Sequence, residues 1–136
     1  MKRYESREQA LTFLFENDFG FKEPNEILEL AKDARDEKIS NFSKELFLGT
    51  IEHLEDIDKE IETNSSSWKK DRLSKMVLSI LRLSVFEMLY YSTPSDIAIN
   101  EAVELAKKYT TKDDASYING VLGEIARKKD LKNENK

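Results

Sequence analysis

Residues 73–91 limit the possible folds of this chain more than any other segment. On a helical projection they are apolar on nearly every face, apart from a narrow polar stripe of Lys75, Ser79 and Arg82. A helix with so little polar surface is unstable on the outside of a protein, because its apolar side chains would remain in water. We therefore predict that this segment is a central helix covered by other elements.

The rest of the sequence favours helices as the covering elements. Apolar residues recur at helical spacing, and no convincing strand alternation is present. The chain has 136 residues, of which 36% are charged, and only four glycines and two prolines, the residues that interrupt helices most. We predict an all-α protein of about seven helices.

Capping signals divide the first half of the chain into helices. Ser6 and Gln9 have the spacing of a capping box, which predicts a first helix over about 7–18 and an amino-terminal arm before it. Pro24 suits the first turn of a second helix, and a third helix is predicted to begin near Asn41.

Further signals mark the later helices. A bend near His53 is predicted to separate the third helix from a short fourth, and five small polar residues at 63–67 form the clearest break in the chain. Caps at Thr93 and Thr111 are predicted to start the last two helices, the first of them with Pro94 in its first turn.

These breaks predict a single domain at 1–130. Its two subdomains are expected at about 6–63 and 68–130, on either side of the polar break. Residues 131–136 are lysine- and asparagine-rich, and we expect them to form a flexible basic tail.

Charge is unevenly distributed along the chain. The net charge is −5, but residues 23–62 alone carry 13 acidic and five basic side chains, a local charge of −8. Residues 127–136 have five basic and two acidic side chains. The middle of the chain should repel phosphate, whereas the ends tolerate it.

Composition also indicates the cellular compartment in which the protein is expected. The chain has no cysteine, which excludes disulfides, thiolate zinc sites and thiol nucleophiles and fits a reducing cytoplasm. No signal peptide is recognisable. The most apolar run, residues 76–91, has 16 residues and contains Arg82 and Glu87, so it is too short and too charged to span a bilayer. We expect a soluble cytoplasmic protein with no membrane association.

No set of residues in the sequence predicts catalysis. We find no nucleophile with a base, no metal cluster and no phosphate-binding glycine loop, so neither a metal nor a cofactor is expected. His53 is the single histidine and is assigned to a helix end. Glu87, on the central helix, is either a structural carboxylate with a hydrogen-bonding or basic partner or an acid of raised pKa, and we favour the structural role.

Three motifs together resemble one family. They are ILRLSVFEM at 80–88, AINEAVELAK at 98–107 and YINGVL at 117–122. With these motifs the chain resembles the NusB family of bacterial transcription antitermination factors, from Ser6 to about Arg127. Gly120 matches the family too. Because a glycine inside a helix costs about 1 kcal/mol relative to alanine, we expect another group to approach closely at Gly120.

The resemblance implies a fold and a function. NusB proteins consist of two three-helix bundles packed together, and they are not enzymes. They bind single-stranded box A RNA of ribosomal leader transcripts together with NusE, a small-subunit ribosomal protein. The pair acts on the RNA polymerase elongation complex, which is therefore an indirect partner, and supports ribosomal RNA synthesis.

The resemblance and the chemistry of the side chains also imply an RNA-binding set. Cations neutralise phosphates, aromatic rings stack on unpaired bases and amides read base edges. Without the resemblance, the two aromatic residues of this set would be assigned to the core. The set comprises Lys2, Arg3, Arg7, Phe15, Lys112, Asp113, Tyr117 and Asn119.

The chain departs from the family pattern at two places. The first ten residues have a net charge of only +1, so we expect few phosphate contacts and a log–log salt slope of about −2 to −3. Many members of the family have an acidic–basic pair where this chain has Val77 and Leu78, on the side that binds the partner in that family. The apolar pair indicates either a drier partner contact or a more deeply packed helix. The predicted partner-binding residues are Arg72, Lys75, Val77 and Ser79.

Two other functions are alternatives to this one. NusB-like domains also precede the catalytic domain of certain ribosomal RNA cytosine methyltransferases, but that domain needs a Rossmann-like segment and a cysteine, and this sequence has neither. The other alternative is a helical protein–protein adaptor or homodimer without an RNA function.

Overall fold

The computed structural model describes residues 1–65 and 73–134, and every regular element among them is helical. The predicted all-α fold is confirmed. The helices are α1 (Arg3–Asn17), α2 (Pro24–Asp33), α3 (Asn41–Glu52), α4 (Leu54–Thr63), α5 (Lys75–Leu89), α6 (Ser95–Tyr109) and α7 (Lys112–Glu134).

Helix α5 is the centre of the molecule, as its sequence predicts. Every residue from Val77 to Met88 is buried. The helix contacts α1, α3, α4, α6 and α7. Burial of each large aliphatic side chain contributes about 1.5–3 kcal/mol, so this helix supplies much of the driving force for folding. Helices α6 and α7 pack against each other, and α1 packs against α3.

The polar stripe of α5 is also covered. The Ser79 hydroxyl donates to the Lys75 carbonyl at 2.7 Å, and the side chain is buried. Arg82 is buried between two acidic side chains, Asp18 and Asp58. Ser79 therefore bonds the backbone of its own helix, Arg82 bonds acidic side chains outside it, and only the first residue of the stripe, Lys75, is exposed.

Helix α1 begins earlier than predicted. Lys2, and not Ser6, occupies the N-cap, and the Lys2 N–H donates to the Glu5 carboxylate at 3.3 Å. Ser6 is buried inside the helix, where its hydroxyl hydrogen-bonds the hydroxyl of Ser40 at 2.8 Å. The predicted capping box of Ser6 and Gln9 was wrong because a tertiary partner takes the serine hydroxyl.

The last two helices begin close to their predicted caps, but the start of α6 is shifted by one residue. Pro94 is the N-cap of α6, one position before the first turn, while the Thr93 hydroxyl donates to Glu87 at 3.0 Å. At α7 the Asp114 N–H donates to the Thr111 hydroxyl at 3.1 Å, so the predicted cap is confirmed.

Helix α7 is longer than expected. It continues to Glu134, through the segment for which we predicted a flexible tail. Residues 135–136 lie outside the described part of the chain. Within residues 1–65 and 73–134, no helix has both the length and the apolar character needed to cross a membrane.

Two glycines differ in their surroundings. A Cβ added to Gly120 would meet no heavy atom within 4 Å, so no part of the described chain makes the close approach expected there. A Cβ on Gly49 of α3 would overlap the ring of Phe86. The close approach in this fold therefore occurs at Gly49, a position that the sequence pattern did not predict.

Candidate nucleic-acid interface

Helix α1 lies beside the turn that joins α6 to α7. The Lys108 ammonium is 2.6 Å from the Glu8 carboxylate, and the Tyr109 hydroxyl also bonds Glu8. The hydrogen bond from Lys108 is the main reason that the pKa of Glu8 lies below its usual value. Because α7 begins at Lys112, this contact places α1 next to the turn that leads into α7.

Most of the predicted RNA-binding residues are accessible. Tyr117 and Phe15 are half-buried, so each ring has only part of its surface free. The exposed members of the set are Lys2, Arg3, Lys112, Asp113 and Asn119.

Arg7 is the exception, because its guanidinium is in the core. The side chain is only 7% exposed, and its Nε lies 3.0 and 2.9 Å from the two carboxylate oxygens of Glu87. Its Nη1 is 4.0 Å from Glu101. The predicted phosphate contact of Arg7 is thus replaced by an internal ion pair. The same pair supplies the basic partner that we predicted for a structural Glu87.

Arg3 stays at the surface but is held in place by a ring. Its guanidinium carbon lies 4.0 Å from the centroid of Phe42, the second residue of α3. A cation over an aromatic face at this distance is attracted by the ring quadrupole. The contact positions the start of α1 while leaving the cation exposed.

Phe15 belongs to an aromatic group at the other end of α1. Its ring packs edge-to-face against Phe19 at 5.2 Å, and the Lys75 ammonium lies 5.2 Å from the Phe19 centroid. A predicted RNA-binding residue and a predicted partner-binding residue therefore meet at Phe19. This group was not predicted from the sequence, although the aromatic residues on both sides of Gly20 were a signal. Gly20 has a φ of +79°, and Phe21 after it is 86% exposed.

Tyr117 projects from α7 toward the end of α4. Its hydroxyl hydrogen-bonds the Ser65 hydroxyl at 2.7 Å, and its ring packs against the core. This contact fixes the orientation of the ring, while Asn119 and Gly120 remain exposed further along α7.

Two of the predicted partner-binding residues are in the core. Val77 is 2% exposed and Ser79 is 1% exposed, so the deeper packing of α5 is the correct interpretation of the apolar pair at 77–78. Lys75 is exposed. Arg72 lies outside the described residues.

Lys75 is connected to an ion-pair network at the end of α1. Asp18 bonds both Lys75, at 3.1 Å, and Arg82, at 2.9 Å, and Arg82 also bonds Asp58 at 2.9 Å. Burial acts to raise the pKa of Asp18, but the hydrogen bonds from Arg82 and Lys75 outweigh it, so the pKa lies below its usual value. The network joins α1, α4 and α5.

Across residues 1–65 and 73–134, no group of three or more histidine, aspartate or glutamate side chains is placed to hold a metal ion. The accessible groups in this region are cations, rings and amides, which bind ligands by charge, stacking and hydrogen bonding.

These features define a class: all-helical proteins with a central buried helix and exposed cations at the start of the first and last helices. The sequence profile of the NusB family matches residues 4–127, and the chain belongs to the NusB family.

Characterised relatives extend over nearly the whole chain. The chain is 43% identical over 134 residues to the transcription antitermination protein NusB of Thermoanaerobacter sp. (strain X514), covering 96% of this chain and 94% of that protein. It is 42% identical over 128 residues to the NusB protein of Exiguobacterium sp. (strain ATCC BAA-1283 / AT1b), covering 93% and 98%.

Solved structures have the same fold. T. maritima NusB superposes with a TM-score of 0.80 at 30% identity, covering 93% of this chain and 92% of that chain. A chain in the crystal structure of antitermination factors NusB and NusE in complex with dsRNA gives a TM-score of 0.80 at 28% identity, covering 93% and 98%.

Proposed function

We propose that this protein binds box A RNA of ribosomal leader transcripts together with NusE and so supports ribosomal RNA synthesis. It acts as an adaptor without a catalytic step, and the polymerase elongation complex is reached through the RNA–protein assembly. Its membership in a family of antitermination proteins supports this function. So does the likeness to a chain in a structure of NusB and NusE with RNA.

The contact between Glu8 and Lys108 is the observation that carries the proposal. These residues are 100 positions apart in the sequence, and their ion pair joins α1 to the end of α6. A single-stranded RNA that follows this junction would meet cations from both sides. Lys2 and Arg3 come from α1 and its cap, and Lys112 comes from the start of α7.

Each remaining side chain has a distinct chemistry to offer the RNA. The exposed amide of Asn119 and carboxylate of Asp113 are suited to base edges and to the 2′-hydroxyl, and Phe15 and Tyr117 offer ring faces for stacking. Arg7 is left out of this surface because its guanidinium bonds Glu87 in the interior.

Binding to NusE is expected to use exposed groups near the start of α5. Lys75 is accessible there, whereas Val77 and Ser79 are not. Because few cations line the RNA surface, RNA binding alone is expected to be weak and to become tighter with NusE. The coupling free energy should be about 1–3 kcal/mol.

The test is a titration of labelled box A-like and scrambled RNA with the protein, in the presence and absence of NusE. We expect tighter binding of the box A-like RNA, tightened further by NusE, and weakened by Lys112→Gln. Lys32→Gln, which removes an exposed lysine on α2, is the matched control and should change nothing. Equal affinities with and without NusE, or a tight homodimer in light scattering that ignores RNA, would contradict the proposal.

A further inference from the structure

Five aromatic rings form a continuous series at the carboxyl end of α5. Phe42 and Tyr91 have centroids 5.3 Å apart, and Tyr91 is 6.3 Å from Phe86. Phe86 is 6.1 Å from Tyr90, which stacks on His53 at 4.0 Å with an interplanar angle of 12°. We call these five residues the ring series. Tyr90 is 40% exposed, so the series reaches the surface.

Carboxylates border the ring series. Glu45 accepts a hydrogen bond from the Tyr91 hydroxyl at 2.9 Å, and Glu52 lines a cleft of about 600 Å³ together with Phe86 and Tyr91. Burial is the main cause that raises the pKa of Tyr90, and the charges of Asp56 and Glu60 raise it further.

Basic side chains near the ring series are few. Lys44 lines the same cleft, and Arg3 lies at the Phe42 end. Residues 41–62 as a whole carry seven acidic and two basic side chains. An acidic segment of this kind favours cations over phosphates near it.

Arg3 shows that a guanidinium group can stack on a ring of this series. Its guanidinium lies over Phe42 at 4.0 Å, next to the Tyr91 ring. Tyr90 and His53 cover one face of each other, so only their outer faces can accept a cation, and none of the cations in the described ranges lies over them.

Gly49 shapes the cleft beside the rings. Because it has no Cβ, the Phe86 ring packs directly on the backbone of α3, at a distance that any larger residue would prevent. Phe86 is thereby held between Tyr91 and Tyr90, and Gly49 and Leu48 line the cleft. The arrangement is fixed before any partner arrives, which lowers the entropic cost of binding.

We propose that the ring series and its carboxylates form a docking site for an arginine-rich segment of a protein partner. Guanidinium groups would stack on Tyr90 and His53 and pair with carboxylates such as Glu52 and Asp56. Planar guanidinium groups suit this surface because they stack on rings and bind carboxylates at the same time. The site lies at the opposite end of α5 from Lys75 and does not depend on the proposed RNA function.

The first test measures binding of a fluorescein-labelled octa-arginine peptide to the full chain by anisotropy. We expect Tyr90→Ala and Glu52→Gln each to weaken binding by about fivefold, in line with a lost cation–ring or charge contact. The matched controls are Phe21→Ala, an exposed ring on another loop, and Glu29→Gln, an exposed carboxylate on α2. Equal losses in Glu52→Gln and Glu29→Gln, or in Tyr90→Ala and Phe21→Ala, would overturn the proposal, because binding would then not depend on the ring series.

The second test needs no substitution. His53 is the only histidine of the chain, so its imidazole proton resonances report on one end of the ring series. We expect the octa-arginine peptide to shift these resonances to saturation and box A-like RNA to leave them unchanged. Peptide binding without a shift, or a shift caused by RNA, would overturn the proposal. Since the RNA titration described above depends on other residues, either function can fail without the other.

Discussion

Arg7 and Glu87 form a buried ion pair that joins helix α1 to helix α5 across 80 residues of sequence. The guanidinium Nε contacts both carboxylate oxygens, and the two side chains are 7% and 2% exposed. The Thr93 hydroxyl donates to the same carboxylate at 3.0 Å. These donors satisfy the hydrogen-bonding capacity of the Glu87 carboxylate. A charged residue is therefore tolerated within the apolar face of the central helix.

The first prediction concerns the stability that this pair provides. Arg7→Ala leaves a buried carboxylate without its cation, so we expect a loss of about 3–5 kcal/mol in the free energy of unfolding, measured by urea denaturation. Arg35→Ala is the control, because Arg35 pairs with Glu37 at an exposed site and should contribute less than about 1 kcal/mol. An Arg7→Ala variant with native stability but lost RNA affinity would restore the phosphate-binding role to Arg7.

The second prediction concerns pH and the network around Asp18. Because the pKa of Asp18 is lowered in the folded protein, the stabilisation is complete above the unfolded value of about 4 and is lost as pH falls through the folded value. Urea midpoints measured from pH 6 to pH 2 should decline less steeply for Asp18→Asn than for the unmodified protein. Glu124→Gln is the control, since its partner Arg127 is at the exposed surface. Parallel curves for Asp18→Asn and the unmodified protein would contradict the assignment.

The central helix could be predicted from the sequence because a helix that is buried on all sides needs apolar residues on nearly every face. In α5 nearly every face is apolar, and the structure buries every residue from Val77 to Met88. The partner of a polar side chain cannot be recognised from such a pattern. Ser6 has the form of a cap and Arg7 that of a surface cation, but their hydroxyl and guanidinium bond Ser40 and Glu87, residues far along the chain. Only the tertiary arrangement decides between these roles.

The third prediction contrasts two helical glycines. In Gly49→Ala the new methyl group would overlap the Phe86 ring, so we expect a loss of about 1–3 kcal/mol from the forced displacement. In Gly120→Ala the methyl group meets no neighbour within 4 Å, so helix propensity should raise stability by up to about 1 kcal/mol. Thermal or urea unfolding of both variants is the measurement. Equal effects at the two positions would show that Phe86 can move aside.

The fourth prediction separates packing from partner binding at the start of α5. Val77→Asp places a carboxylate at a site that is 2% exposed, so we expect about 3–5 kcal/mol of destabilisation before any effect on the partner. Lys75→Gln removes the charge of an exposed residue without placing a second carboxylate beside Asp18, so the fold should be retained while the affinity for NusE falls. Urea unfolding and NusE titration of each variant provide the two readings. A stable Val77→Asp variant with impaired NusE binding would place Val77 in the interface.

The fifth prediction follows from the number of cations on the proposed RNA surface. With Arg7 inside the protein, Lys2, Arg3 and Lys112 are the cations of the predicted set that remain accessible. Three neutralised phosphates on single-stranded RNA correspond to a log–log salt slope of about −2. Removing one cation by Lys112→Gln should reduce the magnitude of that slope by about 0.7, whereas Lys32→Gln on α2 should leave it unchanged. A slope near −6 would require more phosphate contacts than this surface provides, and the RNA would then have to reach cations elsewhere on the molecule.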